Sequence, residues 1–404
     1  MYSPKVIESS ISRYEEKASH KLVRIEASKT QDWVNHLASL WDKEEKKWKR
    51  DLTKEEKLFV RNERVMCAID FRYWLKYATI QRDGGGICTA THLWESQEIF
   101  LRVISKLEED MYEAMARGEP VEGILICLHK ARQLGATALA RLLAMHRETT
   151  SMHLRGMSAS VDDDKIMELY DRDKLIIENL PIWLCPEVGY DEKAAHIYFE
   201  KLNSRMLYQV ATQKSGLGTG RQFDIGHLTE CSSWPNPLMI EFDFFPTIPQ
   251  SYKVLVILES TANGRGDWWH DFTGRVRQGD SRRWRYVFVP WYAELSKYRA
   301  TPSVNWNPSK VSMLHAQNCY DTSPEFVGKN VMLSREQLWW WESTREEYLK
   351  AGRLNFFLTN YCATPEESFQ HSGQSAFDPL LIESLRMNAK PGYAYEISRN
   401  GGQA

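Results

Sequence analysis

A short stretch of basic, glycine and hydroxyl residues between positions 129 and 137 has the composition of a site for the phosphates of a nucleotide. It lies between an apolar run and a predicted helix, and ligands of α/β proteins bind where strands end and helices begin. Phosphate binding requires a close backbone approach, a cation and a hydroxyl group for Mg²⁺. Gly135 can provide the approach and Thr137 the hydroxyl group. The cation can come from Lys130 or Arg132.

The stretch departs in two places from the common phosphate-binding pattern G-x-x-x-x-G-K-[ST]. Lys130 stands where the first glycine is expected, and Ala136 replaces the lysine before the hydroxyl residue. An ordinary turn between a strand and a helix, with basic residues in solvent, would have the same composition. The stretch alone therefore does not identify a nucleotide site.

Polar residues also follow two further predicted strands, at 223–228 and 254–258. Glu230 comes soon after the first strand, and a carboxylate there could orient and polarise an attacking water molecule. The stretch 260–264 after the second strand is polar and turn-forming, and such a group can sense the loss of a terminal phosphate. Taken singly, Glu230 could be a solvated or capping acid, and Asn263 part of a plain turn. Three such elements, in order and at strand ends, favour nucleotide hydrolysis.

The elements that carry these residues alternate between short apolar strands and helices. The apolar run 123–128 is followed by a helix from about Thr137 to Arg147, and a helix after Asp162 follows a strand near 152–158. A hairpin is predicted around 202–204. This alternation predicts an α/β unit with a mainly parallel sheet.

Helices are predicted before and after this unit. The stretch from about Tyr14 to Arg64 is rich in Lys, Glu and Leu without glycine or proline, which predicts charged, peripheral helices. Thr53 opens one of them with the spacing of a capping box. A break is expected at 83–86, and Ser334 could cap a later helix.

Composition excludes several classes of protein without identifying a partner. The chain of 404 residues is long enough for two or three packed units, and its net charge of −2 gives no overall signal for nucleic acid. No apolar run approaches the ~20 residues of a membrane helix, and the N-terminus lacks a secretory signal. The seven cysteines are scattered without a C-x-x-C pair, which indicates reduced thiols and neither a zinc site nor a disulfide framework.

Three stretches resemble the motifs of one family of ATPases. Residues 130–137 resemble a deviant Walker A motif, whose lysine has moved to the front of the loop. Residues 227–235 resemble a Walker B motif, with Glu230 as the catalytic carboxylate. Residues 259–266 resemble a coupling motif containing Ser260, Thr261, Ala262, Asn263 and Gly264. Across roughly Phe71 to Pro379 the sequence thus resembles the large terminase subunits of tailed bacteriophages.

This resemblance implies a P-loop NTPase fold of the ASCE type, with a mainly parallel sheet flanked by helices. It implies a helical N-terminal region at 1–86, an ATPase core at 87–290, and a small lid and linker region at 291–404 that leads to an absent nuclease domain. The acidic metal cluster of that nuclease is not found between 380 and 404, so we expect no DNA cleavage by this chain.

The resemblance also implies roles for single residues, with ATP and Mg²⁺ as cofactors. The expected contacts of the nucleotide are Gln97, Lys130, Arg132, Gln133, Leu134, Gly135, Ala136, Thr137 and Ala138. Gln97 would read the adenine edge, although a solvated helix glutamine is an equal alternative. Arg132 would act on the γ-phosphate in cis. Arg221 would reach a neighbouring subunit in trans, with Arg172 and Arg205 as rivals.

The expected metal residues are Thr137 and Thr229. Thr229 stands where most Walker B motifs have an aspartate, and a hydroxyl group holds Mg²⁺ more weakly than a carboxylate does. Metal affinity would therefore depend on the nucleotide phosphates and on Thr137.

The implied function is ATP-driven translocation of double-stranded DNA into a viral procapsid. The implied partners are double-stranded DNA, the portal protein of the procapsid, a small terminase subunit and further copies of this chain, in a ring of five when active and as a monomer in solution. The implied location is the cytoplasm of the host cell, without a membrane. Two other functions remain open: a helicase-like P-loop ATPase, and a non-catalytic DNA-binding adaptor, which Ala136 and Thr229 would favour.

Overall fold

The short apolar runs of the sequence form strands, and most of these strands lie in one large sheet. The computed structural model describes residues 1–369, except 19, 43, 82–84, 185–186, 212–215, 219 and 282. The strands are β1 (Trp41–Asp42), β2 (Lys47–Trp48), β3 (Thr79–Gln81), β4 (Ile87–Thr89), β5 (Ile124–Lys130), β6 (Arg155–Ser160), β7 (Val188–Asp191), β8 (His196–Phe199), β9 (Ser204–Val210), β10 (Ile225–Thr229), β11 (Leu255–Ser260) and β12 (Arg285–Val289). The helices are α1 (Pro4–Ala18), α2 (Ala27–Ser39), α3 (Lys54–Ile69), α4 (Phe71–Trp74), α5 (Glu95–Ala116), α6 (Ala136–Thr150), α7 (Asp163–Asn179), α8 (Trp268–Gln278), α9 (Lys310–Val327), α10 (Arg335–Lys350), α11 (Leu354–Asn360) and α12 (Pro365–Ser368).

The central sheet has eight strands in the order β12-β5-β11-β10-β6-β9-β8-β7. All neighbouring pairs from β12 to β9 are parallel, whereas the β9–β8 and β8–β7 pairs are antiparallel. β11 is thus inserted between β5 and β10, although it follows both of them in the sequence. The predicted α/β class, with a mainly parallel sheet flanked by helices, is confirmed. Because the strands are parallel, the segments that follow β5, β10 and β11 meet at one edge.

Alternate residues of the central strands enter two hydrophobic cores, one on each face of the sheet. Along β5, Ile126 belongs to the core that contains Leu142 of α6, whereas Cys127 belongs to the core that contains Trp269 of α8. Burial on both faces explains why the strand reads as a continuous apolar run. Packing in the two cores fixes the position of each strand end, and therefore the positions of the loops that follow.

One of the helices predicted to be peripheral, α3, buries one face in the main core, and the peripheral position of the others stays a prediction. Phe59 and Met66 of α3 are buried in the same core as β5, together with Trp74 of α4. α3 is amphipathic, and its charged face hid the apolar face that packs against the rest of the protein. The predicted capping box between Thr53 and Glu56 is confirmed. Part of the predicted break lies outside the described residues, and the boundary after residue 86 stays a prediction.

Two local predictions meet the structure differently. The predicted hairpin is confirmed, because β8 and β9 pair antiparallel and Asn203 between them has a left-handed φ of 49°. The strand expected near 152–158 begins later, at Arg155. The physical reason is a turn before it, in which His153 has a positive φ of 60° that ends extended pairing.

The segment after β12 forms α9 to α12, whose aromatic side chains pack around a buried histidine. The ring of His315 lies 3.8 Å from that of Trp341 and 5.9 Å from that of Trp291, measured between centroids. Both tryptophans belong to the core that contains β5, so the expected lid region is continuous with the main core. The predicted cap by Ser334 is confirmed. The boundary after residue 290 stays a prediction.

The last residues fall outside this description. Residues 370–404, which include the stretch expected to lead to a nuclease, are not among the described residues. In the described part of the chain, no helix has both the length and the apolar character needed to cross a membrane. The described cysteines, at positions 67, 88, 127, 231, 319 and 362, form no disulfides.

Candidate active site

The loop after β5 borders a cleft of about 1010 Å³ at the edge where the parallel strands end. Residues 130–137 are called the phosphate loop below. The predicted contacts that line this cleft are Gln97, Lys130, Gln133, Leu134, Gly135, Ala136, Thr137 and Ala138. The cleft is also lined by Trp94 and by Lys297, whose ammonium group lies 4.4 Å from the centre of the Trp94 ring. Its volume is that of a site for a small molecule such as a nucleotide.

Left-handed backbone conformations shape the phosphate loop. Gly135, with a φ of 69°, is the N-cap of α6, and a Cβ atom added there would lie 2.8 Å from Nε2 of Gln97. Gln133 also has a positive φ, of 54°. A glycine is therefore required at position 135, and the N-terminus of α6 borders the cleft, where its positive end can attract phosphate.

Gln97 touches the phosphate loop from α5. Its Oε1 atom accepts a hydrogen bond of 2.9 Å from the backbone N–H of Trp94, and its Nε2 atom donates one of 2.9 Å to the carbonyl of Gly135. The side chain is buried. Gln97 thus connects the start of α5 to the loop, and its expected reading of adenine stays a prediction.

Lys130 is the last residue of β5 and is half-buried in the wall of the cleft. Its ammonium group has no hydrogen bond or ion pair with any described residue. Its positive charge lowers the pKa of Glu259, the fifth residue of β11. A half-buried cation without a partner, at the front of the phosphate loop, is available to an anionic ligand.

Glu259 connects the ends of three elements. Its Oε1 atom accepts hydrogen bonds from the hydroxyl groups of Thr137, at 2.5 Å, and Thr229, at 2.8 Å. Nε2 of His227 lies 3.4 Å from the same oxygen. The side chain is fully buried, and Oε2 has no hydrogen-bond partner among the described residues. The hydroxyl of the phosphate loop is therefore fixed by a carboxylate of β11, and Thr229 supports the same carboxylate.

The charge state of Glu259 follows from two opposed effects. Burial favours the neutral acid and raises its pKa. The charge of Lys130, the nearby ring of His227 and the hydrogen bond from Thr137 act the other way, and together they hold the pKa of Glu259 well below its ordinary range. The buried carboxylate is therefore ionised at neutral pH.

Glu230 follows β10 but has a different environment. Its backbone is left-handed, with a φ of 56°, and its carboxylate pairs with the ammonium group of Lys165 near the start of α7. The side chains of this pair are 43% and 41% exposed, so solvent reaches both of them. Glu230 is not among the residues that line the cleft, although Thr229 before it contacts the Glu259–Thr137 pair.

The expected coupling motif contacts the segment that follows Glu230. The hydroxyl of Ser260 donates to that of Ser232 at 2.8 Å, and the backbone N–H of Ser232 donates to Ser260 Oγ at 3.1 Å. The side-chain amide of Asn263 donates to the carbonyl of Ser232 at 3.3 Å. Thr261, Ala262 and Gly264 lie in the same irregular segment after β11. Movement of the segment that follows Glu230 would therefore act directly on residues 260–264 through these hydrogen bonds.

The arginines with expected roles are not collected in the cleft. Arg132 is exposed, and its backbone N–H donates to the carbonyl of Asn360 at 2.9 Å. Arg221 is exposed and precedes β10, at the end opposite to Thr229. Of the two rivals, Arg172 lines the cleft and Arg205 lies near the start of β9. Action in cis by Arg132 and in trans by Arg221 stay predictions.

Sequence reasoning missed two groups at this site. Glu259 was seen only as the first residue of a motif, although a carboxylate at a strand end was the signal that selected Glu230. Arg141 was not considered, yet it is buried beneath the cleft, paired with Asp173 and 3.2 Å from Nδ1 of His227. An arginine on the predicted first helix after the loop was the available signal.

The oxygen groups around Thr137 fit Mg²⁺ better than a metal held by the protein alone. Among the described residues, no group of three or more His, Cys, Asp or Glu side chains could hold a metal ion. Mg²⁺ needs few protein ligands, because it keeps water molecules and takes phosphate oxygens from the substrate. The Thr137 hydroxyl and the unpartnered oxygen of Glu259 are suitable groups for it.

Comparisons with known proteins gave matches among solved structures. No protein-family model and no curated protein matches this chain. The large terminase of bacteriophage HK97 matches with a TM-score of 0.45 and 12% identity, over 69% of this chain and 51% of that one. The large terminase ATPase domain of Thermus phage P74-26 matches with a TM-score of 0.39 and 15% identity, over 60% and 88%.

The large terminase of a further, thermophilic bacteriophage matches with a TM-score of 0.34 and 13% identity, over 57% of this chain and 53% of that one. This chain therefore spans about half the length of the HK97 protein that it matches. At these values the similarity assigns no role to any residue, and the roles below rest on the geometry of the site.

Proposed function

We propose that this chain hydrolyses ATP with Mg²⁺ in the cleft beside the phosphate loop. One observation carries the proposal: the hydroxyl of Thr137 is held by the ionised Glu259, next to the N-terminus of α6 and the ammonium group of Lys130, which has no partner among the described residues. Hydroxyl, carboxylate, cation and helix N-terminus are the groups that phosphoryl transfer requires. Their meeting at one edge of a parallel sheet supports a nucleotide site over an ordinary turn.

Each residue has a separate task in this proposal. Mg²⁺, when bound beside Thr137, would neutralise charge on the phosphates. Lys130 stabilises the charge that develops on the transferred phosphoryl group, and the N-terminus of α6 binds the remaining oxygens. Glu230 orients the attacking water molecule and takes up its proton. For this step the carboxylate leaves Lys165 and turns toward the cleft.

We propose further that hydrolysis is coupled to movement through Ser232. Loss of the γ-phosphate releases Glu230, and the shift of the following segment reaches Ser260 and Asn263 through the hydrogen bonds of Ser232. Residues 260–264 then pass the change to the rest of the chain. Such a contact can have two discrete arrangements, which is what a switching element needs.

The work that we propose is the translocation of double-stranded DNA into a viral procapsid. The motifs at 227–235 and 259–266 resemble those of large terminase subunits, and they support this function over other ATP-dependent ones. The active form would be a ring of five copies bound to the portal protein and served by a small terminase subunit, in the cytoplasm of the host cell. The residues that contact DNA are not assigned.

ATP hydrolysis by the purified chain tests the proposal, with and without Mg²⁺ and double-stranded DNA. We expect Mg²⁺-dependent hydrolysis that DNA stimulates, and displacement of a third strand from a triplex as the motor moves along duplex. Unwinding of a duplex in a strand-displacement assay would instead favour a helicase-like ATPase. Absence of both nucleotide binding and hydrolysis would refute the proposal and leave the DNA-binding adaptor, which the replacements Ala136 and Thr229 would then explain.

A further inference from the structure

We infer that Glu259, on β11, gives Mg²⁺ the carboxylate that this chain lacks at Thr229. The inference rests on the proposed function, because it concerns the metal of the same nucleotide site. In P-loop hydrolases Mg²⁺ is held by the hydroxyl of the phosphate loop and by an aspartate at the end of a strand. Here the loop hydroxyl is that of Thr137, and the carboxylate that accepts its hydrogen bond is Glu259.

The pairing of the strands makes the exchange possible. β10 and β11 are adjacent and parallel, and Thr229 pairs in register with Glu259. A carboxylate moved from position 229 to position 259 therefore stays at the same level of the sheet, displaced by about 4.8 Å, the spacing of neighbouring strands. β11 is also the direct neighbour of β5, so the displacement brings the carboxylate closer to the strand that carries the phosphate loop.

The two oxygens of Glu259 are used unequally. Oε1 accepts both hydroxyl hydrogen bonds, from Thr137 and Thr229, while Oε2 has no partner among the described residues. The side chain is fully buried, and buried carboxylate oxygens without a partner are rare in folded proteins. The carboxylate thus contacts the loop hydroxyl through Oε1, and Oε2, which has no partner among the described residues, can accept a cation or a water molecule of its shell.

The direction of the hydrogen bond also suits a metal. Thr137 donates its proton to Glu259, so the lone pairs of Thr137 Oγ1 stay available to a cation. Carboxylates that orient a ligand in this way commonly tune the affinity of a metal site. Glu259 therefore acts twice: it fixes the orientation of Thr137, and it adds negative charge next to it.

A purely structural role predicts the same contacts but a different response to the metal. As a buried acceptor for two threonines, Glu259 would influence nucleotide affinity equally with and without Mg²⁺. As a metal residue, it would influence the Mg²⁺-dependent part alone. The affinity for the metal, measured apart from catalysis, separates the two roles.

The experiment uses Glu259→Gln, Thr229→Asp and the double variant in the full chain. Glu230→Gln is the matched control, because it removes a carboxylate from the neighbouring strand end without removing a contact of Thr137. Binding of Mn²⁺ is followed by electron paramagnetic resonance in the presence of a non-hydrolysable ATP analogue. Affinity for the analogue is measured with Mg²⁺ and with EDTA.

Glu259→Gln should weaken Mn²⁺ binding by roughly 10–100-fold, the usual effect of removing such a partner. The analogue should bind equally well in EDTA, and the Glu230→Gln control should bind Mn²⁺ as the wild type does. The double variant should regain a measurable part of the lost affinity, because it returns a carboxylate at the same level on β10. Normal Mn²⁺ binding by Glu259→Gln, or an equal loss of analogue affinity in EDTA, would overturn the inference.

Two checks keep the outcomes distinct. If Glu259→Gln does not fold, as its melting curve would show, Thr229→Asp decides: a second carboxylate beside the metal changes Mn²⁺ affinity, and an unchanged affinity refutes the inference. Wild-type protein that binds no analogue in Mg²⁺ refutes the proposed function itself. Wild-type protein that hydrolyses Mg²⁺–ATP, combined with normal Mn²⁺ binding by Glu259→Gln, refutes the inference alone.

Discussion

Glu259 and Glu230 stand at the ends of adjacent strands, yet one is buried and the other is partly exposed. Glu259 is fully buried and accepts hydrogen bonds from two threonines. Glu230 is 43% exposed, lies just beyond the end of β10 in a left-handed conformation, and has one lysine as its partner. Two glutamate side chains on adjacent strands therefore have different environments.

The difference teaches which carboxylate suits which task. A group that orients a ligand must already be in position, and burial with several hydrogen bonds provides this. A group that takes a proton from water must approach and leave the nucleotide in each cycle. The left-handed backbone of Glu230 costs of order 1–3 kcal/mol for a residue with a side chain, and such conformations cluster at switch regions.

The largest expected effect is that of Glu230→Gln. The variant keeps the size of the side chain but removes the base, so kcat should fall by ~10²–10⁴-fold, the contribution of general base catalysis. Binding of Mg²⁺ and of an ATP analogue should stay as in the wild type, because Glu230 does not touch Thr137. Steady-state hydrolysis and equilibrium binding are the measurements. Hydrolysis at the wild-type rate would assign the base to another residue and end the comparison.

The second-largest loss of activity is expected for substitution of Lys130, at the front of the phosphate loop. Lys130→Ala should lower kcat by at least ~10²-fold, the scale of losing one charge contact in the transition state. Lys130→Arg should rescue little, because a planar guanidinium does not replace a compact ammonium group in a tight loop. Circular dichroism checks that both variants are folded. Near-normal hydrolysis by Lys130→Ala would move the role to Arg132, whose alanine variant should then lose activity.

A second buried carboxylate, that of Glu148, shows what happens without such partners. Glu148 of α6 is fully buried, and neither of its oxygens has a hydrogen-bond partner among the described residues. Burial raises the pKa of Glu148 well above its ordinary value, Asp224 and Asp173 raise it further, and Arg141 opposes them. Glu148 is therefore neutral where Glu259, with its cation and hydrogen bonds, is charged.

This contrast predicts how stability depends on pH. Folded Glu148 keeps a proton that the unfolded chain releases above about pH 4.5, so its contribution is lost as pH rises toward the folded pKa. In Glu148→Gln this loss is absent. As pH rises, the free energy of unfolding of the variant, relative to that of the wild type, should increase by up to about 1.4 kcal/mol per pH unit.

Urea unfolding between pH 6 and pH 8 measures the effect. Glu119→Gln is the control, because Arg117 lowers the pKa of the exposed Glu119 and both states are ionised in this range. Parallel stability curves for the wild type and Glu148→Gln would show that Glu148 is ionised in the folded protein.

The sheet could be predicted from the sequence, and the packing around it could not. β5 and β11 read as bounded apolar runs because both of their faces are buried. The burial of α3 was missed because periodicity reveals an apolar face but not the element that covers it. Phe59 and Met66 pack in a core with residues that are distant in the sequence, and no local pattern reveals such packing.

The site divides in the same way. Most residues of the phosphate loop line the cleft, since a strand end and a helix start hold them together, but Arg132 does not. The role of Glu259 could not be predicted, because its contact with Thr137 depends on β11 lying between β5 and β10. Strand order is a tertiary property, and the sequence shows the three strands in another order. The pairing of Glu230 with Lys165 is hidden for the same reason.

The smallest expected effect concerns Lys165, the partner of Glu230. The Lys165–Glu230 pair is about half exposed, and such pairs contribute about 0–1 kcal/mol. If Glu230 must leave Lys165 to act, Lys165→Ala should raise kcat, by at most about fivefold for 1 kcal/mol. High salt should shrink the difference, because it screens exposed charges. Lys174→Ala, on the same helix and also paired with an exposed glutamate, is the matched control and should leave kcat unchanged.

A double-mutant cycle decides whether the effect passes through Glu230. In the Glu230→Gln background the charged pair is already gone, so Lys165→Ala should change the residual rate no further. Equal rate changes in both backgrounds would mean that Lys165 acts on the nucleotide by another route. A fall in kcat of ~10²-fold or more in Lys165→Ala alone would make Lys165 part of the catalytic machinery, since that is the effect of removing a charge from the transition state. Glu230 would then be held in place by Lys165, and the contrast with Glu259 would disappear.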